Sequence, residues 1–348
     1  MKKKVVILFE GGIPAYRRFL LAHLASSKSL DLTVLHNGKG TEESGALYKQ
    51  LEVNYVGSPK CGTHIGVWKH LINADIIIAS YNLRVLSCWL PCLVFGSKWI
   101  FWGKGLGSSE NRIVLGLRRL TALKARKILV YNERKRAELI ERTGIHRDKV
   151  IAYQNSVFIE KPFNSGSVTK NYFLYFGRLQ ERKGLDDLLR QYAEYVKTTG
   201  APKYKLRFVG NGPLHDRLTV DACRFGISEY VEFYPGVYDE DGIAYHFKHA
   251  AIYVSPFNVG LGVVHSLGYG VPVLTCKQPQ VGPEYHYLNS ANSIVADSVS
   301  DLTSVFVRLE DTGHKLYNSS YAYYRQYLHH SIMLERFTQV LMEAIEGK

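Results

Sequence analysis

The chain has 348 residues, too many for one ordinary hydrophobic core and enough for two domains. Its 46% apolar content excludes a disordered chain, and its longest apolar stretch, Val85–Gly103, is interrupted by Pro91 and Lys98 and is not read as membrane-spanning. The net charge of +13 lies in the first half, where residues 1–150 hold 25 Lys+Arg against 11 Asp+Glu, while residues 151–348 hold 19 against 20. Such asymmetry points to a polyanionic partner: nucleic acid, an anionic membrane or a phosphorylated substrate.

The first element is the apolar run VVILF (5–9) after Lys2-Lys3-Lys4. Glu10 cuts it short, so no signal peptide is expected. The turn Glu10-Gly11-Gly12 follows, then a helix from about residue 15 that carries Arg17. Two glycines at a strand end allow close backbone approach by a phosphate or sugar, but the pattern is not the GxGxxG of dinucleotide sites. Further strands are expected at 32–36, 53–56, 75–80, 98–102, 127–131 and 149–153, with helices near 64–72, 82–95, 111–125 and 133–143. The strand ending at Trp102 opens into Gly103-Lys104-Gly105-Leu106-Gly107-Ser108-Ser109. Its spacing does not fit GxxxxGK, so it reads as a loop bringing a cation to a ligand and not as an ATPase loop. Arg112, Arg119 and Arg126 recur every seven residues beside Ile113, Leu117 and Leu120, the pattern of a basic amphipathic helix suited to an anionic bilayer or of a solvated basic face.

Gln154–Lys170 has no clear periodicity and contains Pro162, Asn164, Ser165 and Gly166; it reads as a linker. Strands follow at 172–177, 205–210, 231–235, 251–255, 271–275 and 293–296, and helices near 184–198, 213–226, 239–249, 261–269, 301–327 and 332–346. The alternation predicts an α/β fold of two Rossmann-like, doubly wound parallel domains, with ligand in the cleft between their strand ends. The boundaries expected are 1–155 for an acceptor-side domain, 156–170 for the linker, 171–327 for a donor domain and 328–348 for a terminal helix packing back on the first domain.

The richest segment is Tyr172–Gly184, YFLYFGRLQERKG: a buried strand, then Arg178 and Lys183 on the loop before a helix. In open α/β sheets ligands bind there, and two cations on such a loop suit a phosphate. Gly210-Asn211-Gly212-Pro213 ends the next strand and would frame a nucleobase or simply turn the chain. In Ser255–Pro272, backbone N–H groups at Gly260, Leu261 and Gly262 would cradle phosphate, with His265 close by. The five cysteines fit no zinc spacing and read as reduced, consistent with a cytoplasmic protein.

GRLQERKG (177–184), VGNGP (209–213), SPFNVGLGVVHSLGYGVPVLT (255–275) and Gln154-Asn155-Ser156-Val157 together resemble glycosyltransferase family 4 over about residues 150–300. The resemblance implies the GT-B fold and a retaining transferase that uses a nucleotide sugar. Arg178 and Lys183 would hold the donor diphosphate, Gly260, Leu261 and Gly262 the donor sugar and phosphates, and Gly210, Asn211 and Val237 the base. Gly11 and Gly12 would form a donor-facing loop of the first domain, with Arg17, Trp102 and Lys104 on the acceptor side. Where the family has two glutamates, this chain has Phe257 and His265. Arg178, Lys183 and the helix amino end would stand in for a divalent metal, so neither metal nor other cofactor is expected. The expected substrates are a UDP- or GDP-sugar and a glycan or polyprenyl-linked acceptor of bacterial surface polysaccharide synthesis. The expected location is cytoplasmic, peripheral on the inner membrane face. The alternatives are a nucleotide-sugar epimerase using Glu10, His265 or Glu284, and a nucleic-acid binder, for which no recognition motif is visible.

Overall fold

The structure, a computed structural model, describes residues 2–38, 45–58, 61–107, 111–278, 281–312 and 316–347. Ser108 and Ser109 of the Lys104 loop lie outside them. The chain forms two units, Met1–Phe158 with His330–Lys348, and Ile159–His329.

In chain order the first unit contains β1 (Lys3–Leu8), α1 (Arg18–Ala25), β2 (Leu30–His36), β3 (Lys49–Glu52), β4 (Tyr55–Ser58), β5 (Cys61–His64), α2 (Trp68–Ile72), β6 (Ile76–Ser80), α3 (Cys92–Phe95), β7 (Trp99–Gly103), α4 (Arg112–Lys124), β8 (Lys127–Val130), α5 (Glu133–Thr143) and β9 (Val150–Ala152). Seven strands form one parallel sheet in the order β3-β2-β1-β6-β7-β8-β9. Both faces are covered, which is why its strands read as unbroken apolar runs. Val5 and Ile7 of β1 pack on one side with Leu20, Leu21 and Leu24 of α1. Val6 and Leu8 pack on the other with Ile77, Phe101 and Ile128. Full burial of each such side chain contributes about 1.5–3 kcal/mol.

Two sequence expectations for this unit are corrected. The strand expected at 53–56 is the start of an antiparallel hairpin, with β4 paired to β5, and the sheet's edge is β3 upstream of it. The helix expected at 82–95 is two short pieces, a 3-10 turn at Leu86–Cys88 and α3. Pro91 separates them, because it lacks an N–H and its preceding residue avoids helical geometry.

The second unit contains β10 (Tyr172–Phe176), α6 (Leu185–Thr199), β11 (Lys205–Val209), α7 (His215–Arg224), β12 (Val231–Tyr234), α8 (Glu240–Lys248), β13 (Ala250–Val254), α9 (Gly262–Gly268), β14 (Val273–Cys276), β15 (Ser293–Ala296), α10 (Leu302–Thr312) and α11 (Tyr317–Tyr323). Its six strands are parallel in the order β12-β11-β10-β13-β14-β15. The helix expected at 301–327 is α10, α11 and a π-helical turn at Tyr324–Leu328. The last helix, α12 (His330–Glu346), belongs to the first unit, where Phe337 meets Trp102 edge to face with ring centroids 5.2 Å apart.

Each sheet reverses its strand order once: between β1 and β6 in the first unit, and between β10 and β13 in the second. The loops after these strands are where an open α/β sheet presents a ligand crevice. Among the described residues no helix is long and apolar enough to cross a membrane.

Candidate active site

In the second unit, the loops after β10, β11 and β13 are locked together by glycines. Gly210 has φ +154°, and a Cβ there would overlap the Gly177 carbonyl oxygen. Leu179 N–H donates to the Asn211 carbonyl at 3.0 Å, and Asn211 Oδ1 accepts from Gly236 N–H at 3.0 Å. These contacts draw Arg178, Gly210, Asn211 and the Gly236-Val237 turn to one end of the sheet, as the sequence places them. The Tyr175 hydroxyl donates to the Arg178 carbonyl at 2.7 Å, which fixes that backbone. The Arg178 side chain is exposed, and no ion-pair partner for it occurs among the described residues.

Lys183 behaves differently. It ends a 3-10 turn, Glu181–Lys183, that closes on Gly184 at φ +67°. A side chain at Gly184 would collide with the Phe257 ring, so this geometry lets the β13 loop approach. Phe257 N–H donates to the Lys183 carbonyl at 3.3 Å, and the Lys183 ammonium donates to the Asn258 carbonyl. Its Nζ would lie 4.0 Å from a Cβ on Gly260. Burial, then the nearby Arg182 charge, pushes Lys183 down to about 8, against the pull of Glu284. The α6 amino end already carries Asp186, paired to Arg217 at 2.7 Å. Lys183 thus turns toward the β13 loop, while Asp186 and Arg217 occupy the α6 amino end.

That loop offers donors. The backbone N–H groups of Gly260, Leu261 and Gly262 reach no acceptor among the described residues. Gly262 is required because a Cβ would strike the Tyr253 hydroxyl, which donates to the Phe176 carbonyl at 3.4 Å. His265 lies one turn on, half-buried, its ring 6.1 Å from those of Phe176 and Phe247. Its Nδ1 is buried with no hydrogen-bond partner among the described residues, and burial holds the imidazole down at about 4. Here, at neutral pH, His265 is an uncharged ring that can share one proton or lone pair with a ligand hydroxyl. Glu284, only 5% exposed, sits on the 3-10 turn Pro283–Tyr287.

The sequence reading did not single out Asn258. Its φ of +50° turns the carbonyl against Lys183, and the signal available was an asparagine in a glycine-rich turn, since Asn tolerates left-handed geometry.

In the first unit, Gly11 and Gly12 lie on the loop after β1, at the strand reversal. A Cβ on Gly11 would meet nothing within 4 Å, so the backbone is open there. The Glu10 carboxylate accepts from the Asn82 amide on the loop after β6. Lys104 is exposed after β7.

Arg17 and Trp102, expected on the acceptor side, are core residues at 2% and 7% exposure. The Arg17 guanidinium donates to Tyr153 Oη at 3.0 Å and Asn155 Oδ1 at 2.6 Å, and lies 4.8 Å from the Trp102 ring centroid. Burial opposes its charge, but Tyr153, Tyr131 and Tyr16 hold it above the ordinary arginine range. Trp102 Nε1 donates to the same Tyr153 oxygen at 2.9 Å. Aromatic faces and neutral oxygens offset the lost hydration, which is why a cation fits this interior.

Residues 157–300 match the family model of glycosyl transferases group 1. The matched stretch holds Arg178, Lys183, His265 and the Gly260–Gly262 turn. No curated protein matches the chain. Among solved structures, a glycosyltransferase from Rickettsia africae superposes with a TM-score of 0.77 at 12% identity, covering 100% of both chains. Sucrose-phosphate synthase from Thermosynechococcus elongatus gives 0.73 at 14% identity, again with 100% of both chains covered. Anabaena Alr3699/HepE in complex with UDP gives 0.72 at 14% identity, covering 99% of this chain and 100% of that one. At such identities the likeness establishes the fold, that of the GT-B glycosyltransferases, with two Rossmann-like α/β units.

Proposed function

We propose that this chain is a retaining glycosyltransferase, of the family 4 type, that moves a sugar from a UDP- or GDP-sugar to a hydroxyl of a glycan or lipid-linked glycan. The observation that carries the reading is the pair of cations at the β10–β13 reversal. Lys183 is held against the Asn258 carbonyl, Arg178 is exposed and unpaired nearby in the chain, and the Gly260–Gly262 N–H groups have no acceptor among the described residues. Cations and unoccupied backbone donors of this kind suit a diphosphate. The glycosyl transferases group 1 match over the same residues supports it, as does the UDP bound to the Anabaena neighbour.

In the reaction the anomeric C–O bond to the diphosphate breaks and its electron pair leaves with the diphosphate. The acceptor oxygen bonds to the same face of the anomeric carbon, and its proton passes to a donor phosphate oxygen. Arg178, Lys183 and the free N–H groups stabilise the charge as it forms, which is the task a divalent metal performs elsewhere. We therefore propose turnover without metal. The neutral His265 is proposed to hydrogen-bond a donor hydroxyl.

The basic excess of residues 1–150 fits an acceptor carrying diphosphate, such as a polyprenyl-linked glycan of bacterial surface polysaccharide synthesis. It also fits a cytoplasmic protein held at the inner face of the membrane. The test is thermal stabilisation by UDP, GDP, ADP and dTDP, since a ligand that binds only the folded state raises its stability. UDP or GDP is expected to raise the midpoint in the presence of a chelator, and Arg178→Ala to reduce the shift. No shift with any of the four nucleotides would sink the proposal. Release of nucleoside diphosphate only when acceptor is added separates transfer from epimerisation.

A further inference from the structure

We propose that the outer face of α4, continued by α3 and α2, docks on an anionic phospholipid bilayer. The proposal deepens the membrane placement above and rests on it.

The helix α4 packs Leu115 against the core but leaves other large apolar side chains outside. Its inner side carries Arg118, whose guanidinium donates to the Tyr81 carbonyl at 3.3 Å, and the small side chains of Thr121 and Ala122. Ile113, Leu120 and Leu123, spaced by seven and three residues along one helix face, point outward at 75%, 44% and 52% exposure. Asn111 caps the helix by accepting from Val114 N–H at 2.9 Å, so its first turn is formed and holds Ile113 in place.

Exposed apolar side chains also occur on the helices packed beside α4. The Cys92 thiol donates to the Thr121 carbonyl at 3.5 Å, and a Cβ on Gly96 would overlap the Lys124 carbonyl, so α3 lies directly against α4. Val94 of α3 is 74% exposed. The rings of Phe95 and Trp68 are 6.1 Å apart, which joins α2, and Trp68 is itself exposed. Exposed apolar side chains recurring on three helices packed in series are more than a soluble surface ordinarily carries singly.

Charge decides what covers it. Arg112, Arg119 and Lys124 flank the apolar residues, are exposed, and have no ion-pair partner among the described residues. Between Cys61 and Asn132 the sequence has ten Lys+Arg and two acids. A second copy of this chain would bring the same sign of charge to the contact. Anionic headgroups complement the cations while the side chains of Ile113, Val94 and Trp68 enter the headgroup–acyl boundary.

The experiment is co-sedimentation of the full chain with vesicles of phosphatidylcholine alone and of phosphatidylcholine mixed with phosphatidylglycerol. Binding is expected only to the mixed vesicles, weakening as salt rises. Arg112→Ser and Arg119→Ser are each expected to lower the partition coefficient about fivefold. The double variant Ile113→Glu, Leu120→Glu is expected to abolish it while keeping the UDP or GDP thermal shift of the parent, which shows the fold and the donor site intact. Equal binding by parent and double variant would overturn this surface and leave the membrane placement standing. No binding by the parent at low salt would overturn both. A dimer of the parent in sedimentation velocity that the double variant separates would assign the face to a second copy. The nucleotide shift is read independently, so failure of the transferase reading is distinguishable from failure of this one.

Discussion

The Lys183 ammonium donates to the backbone carbonyl of Asn258 and so joins the loop after β10 to the loop after β13, across the strand reversal of the second sheet. Arg178, five residues earlier, is exposed and makes no such contact among the described residues. One cation is fixed by the fold and the other is free to meet a ligand. The two side chains therefore differ in what their removal does.

Arg178→Ala removes an exposed side chain with no ion-pair partner among the described residues, so its effect on stability is expected within about 0.5 kcal/mol. If the guanidinium stabilises the departing diphosphate, its loss costs ~2–4 kcal/mol of transition-state binding and about 10²-fold in turnover. Thermal midpoint and acceptor-dependent release of nucleoside diphosphate are the paired measurements. An unchanged midpoint with near-parent turnover refutes the catalytic role.

Lys183 carries a pH signature of two opposite slopes. Its folded value of about 8 lies below its ordinary 10.5 because burial and Arg182 disfavour the charge. Between these values the unfolded chain holds more protons than the folded one, so the ligand-free protein gains stability as pH rises through the interval. Nucleotide affinity falls over the same interval, because the ammonium loses the charge that binds diphosphate. Lys183→Met is expected to flatten both dependences relative to the parent. Titrating the midpoint and the UDP or GDP dissociation constant across neutral to alkaline pH reads both, and parallel slopes in the two proteins would remove Lys183 from the site.

His265 acts at the acid end. Burial lowers it from 6.5 to about 4, so between those values the unfolded chain binds the proton and the folded chain does not. Stability is complete above about pH 6.5 and is lost as pH falls toward 4. His64 and His246 shift in the same direction, so the contribution is isolated by comparing His265→Gln with the parent. The variant is expected to lose part of the acid slope and to bind the nucleotide sugar more weakly at neutral pH.

Much of the fold was legible because parallel strands covered on both faces leave uninterrupted apolar runs, as in Tyr172–Phe176 and Ile76–Ser80. The packing of the glycine-rich loops was legible because Gly184, Gly210 and Gly262 stand where only glycine fits against Phe257, Gly177 and Tyr253. The apolar segment 82–95 misled because helical spacing does not reveal that Pro91 splits it. The hairpin of β4 and β5 was hidden by its weak alternation and largely exposed residues. The fate of Arg17 was also beyond the sequence. An arginine beside a glycine turn reads as a ligand contact, and apart from Tyr16 the rings that enclose it come from Trp102, Tyr131 and Tyr153, more than eighty residues away.

That enclosure yields a prediction opposite in kind to the one for Arg178. Arg17 makes charge-assisted hydrogen bonds to Tyr153 and Asn155 and meets Met333 of α12 at 3.7 Å, so it ties α1 to β9's following loop and to the last helix. Hydrogen bonds to a charged group contribute about 1.5–3 kcal/mol each, less the cost of burying the cation. Arg17→Ala is therefore expected to lower the free energy of unfolding by about 2–4 kcal/mol, read as a shift in the urea midpoint. The acceptor KM of the folded fraction should stay near the parent's, because the side chain is buried and offers nothing to a ligand. A raised acceptor KM with an unshifted urea midpoint would reverse this assignment and return Arg17 to the acceptor.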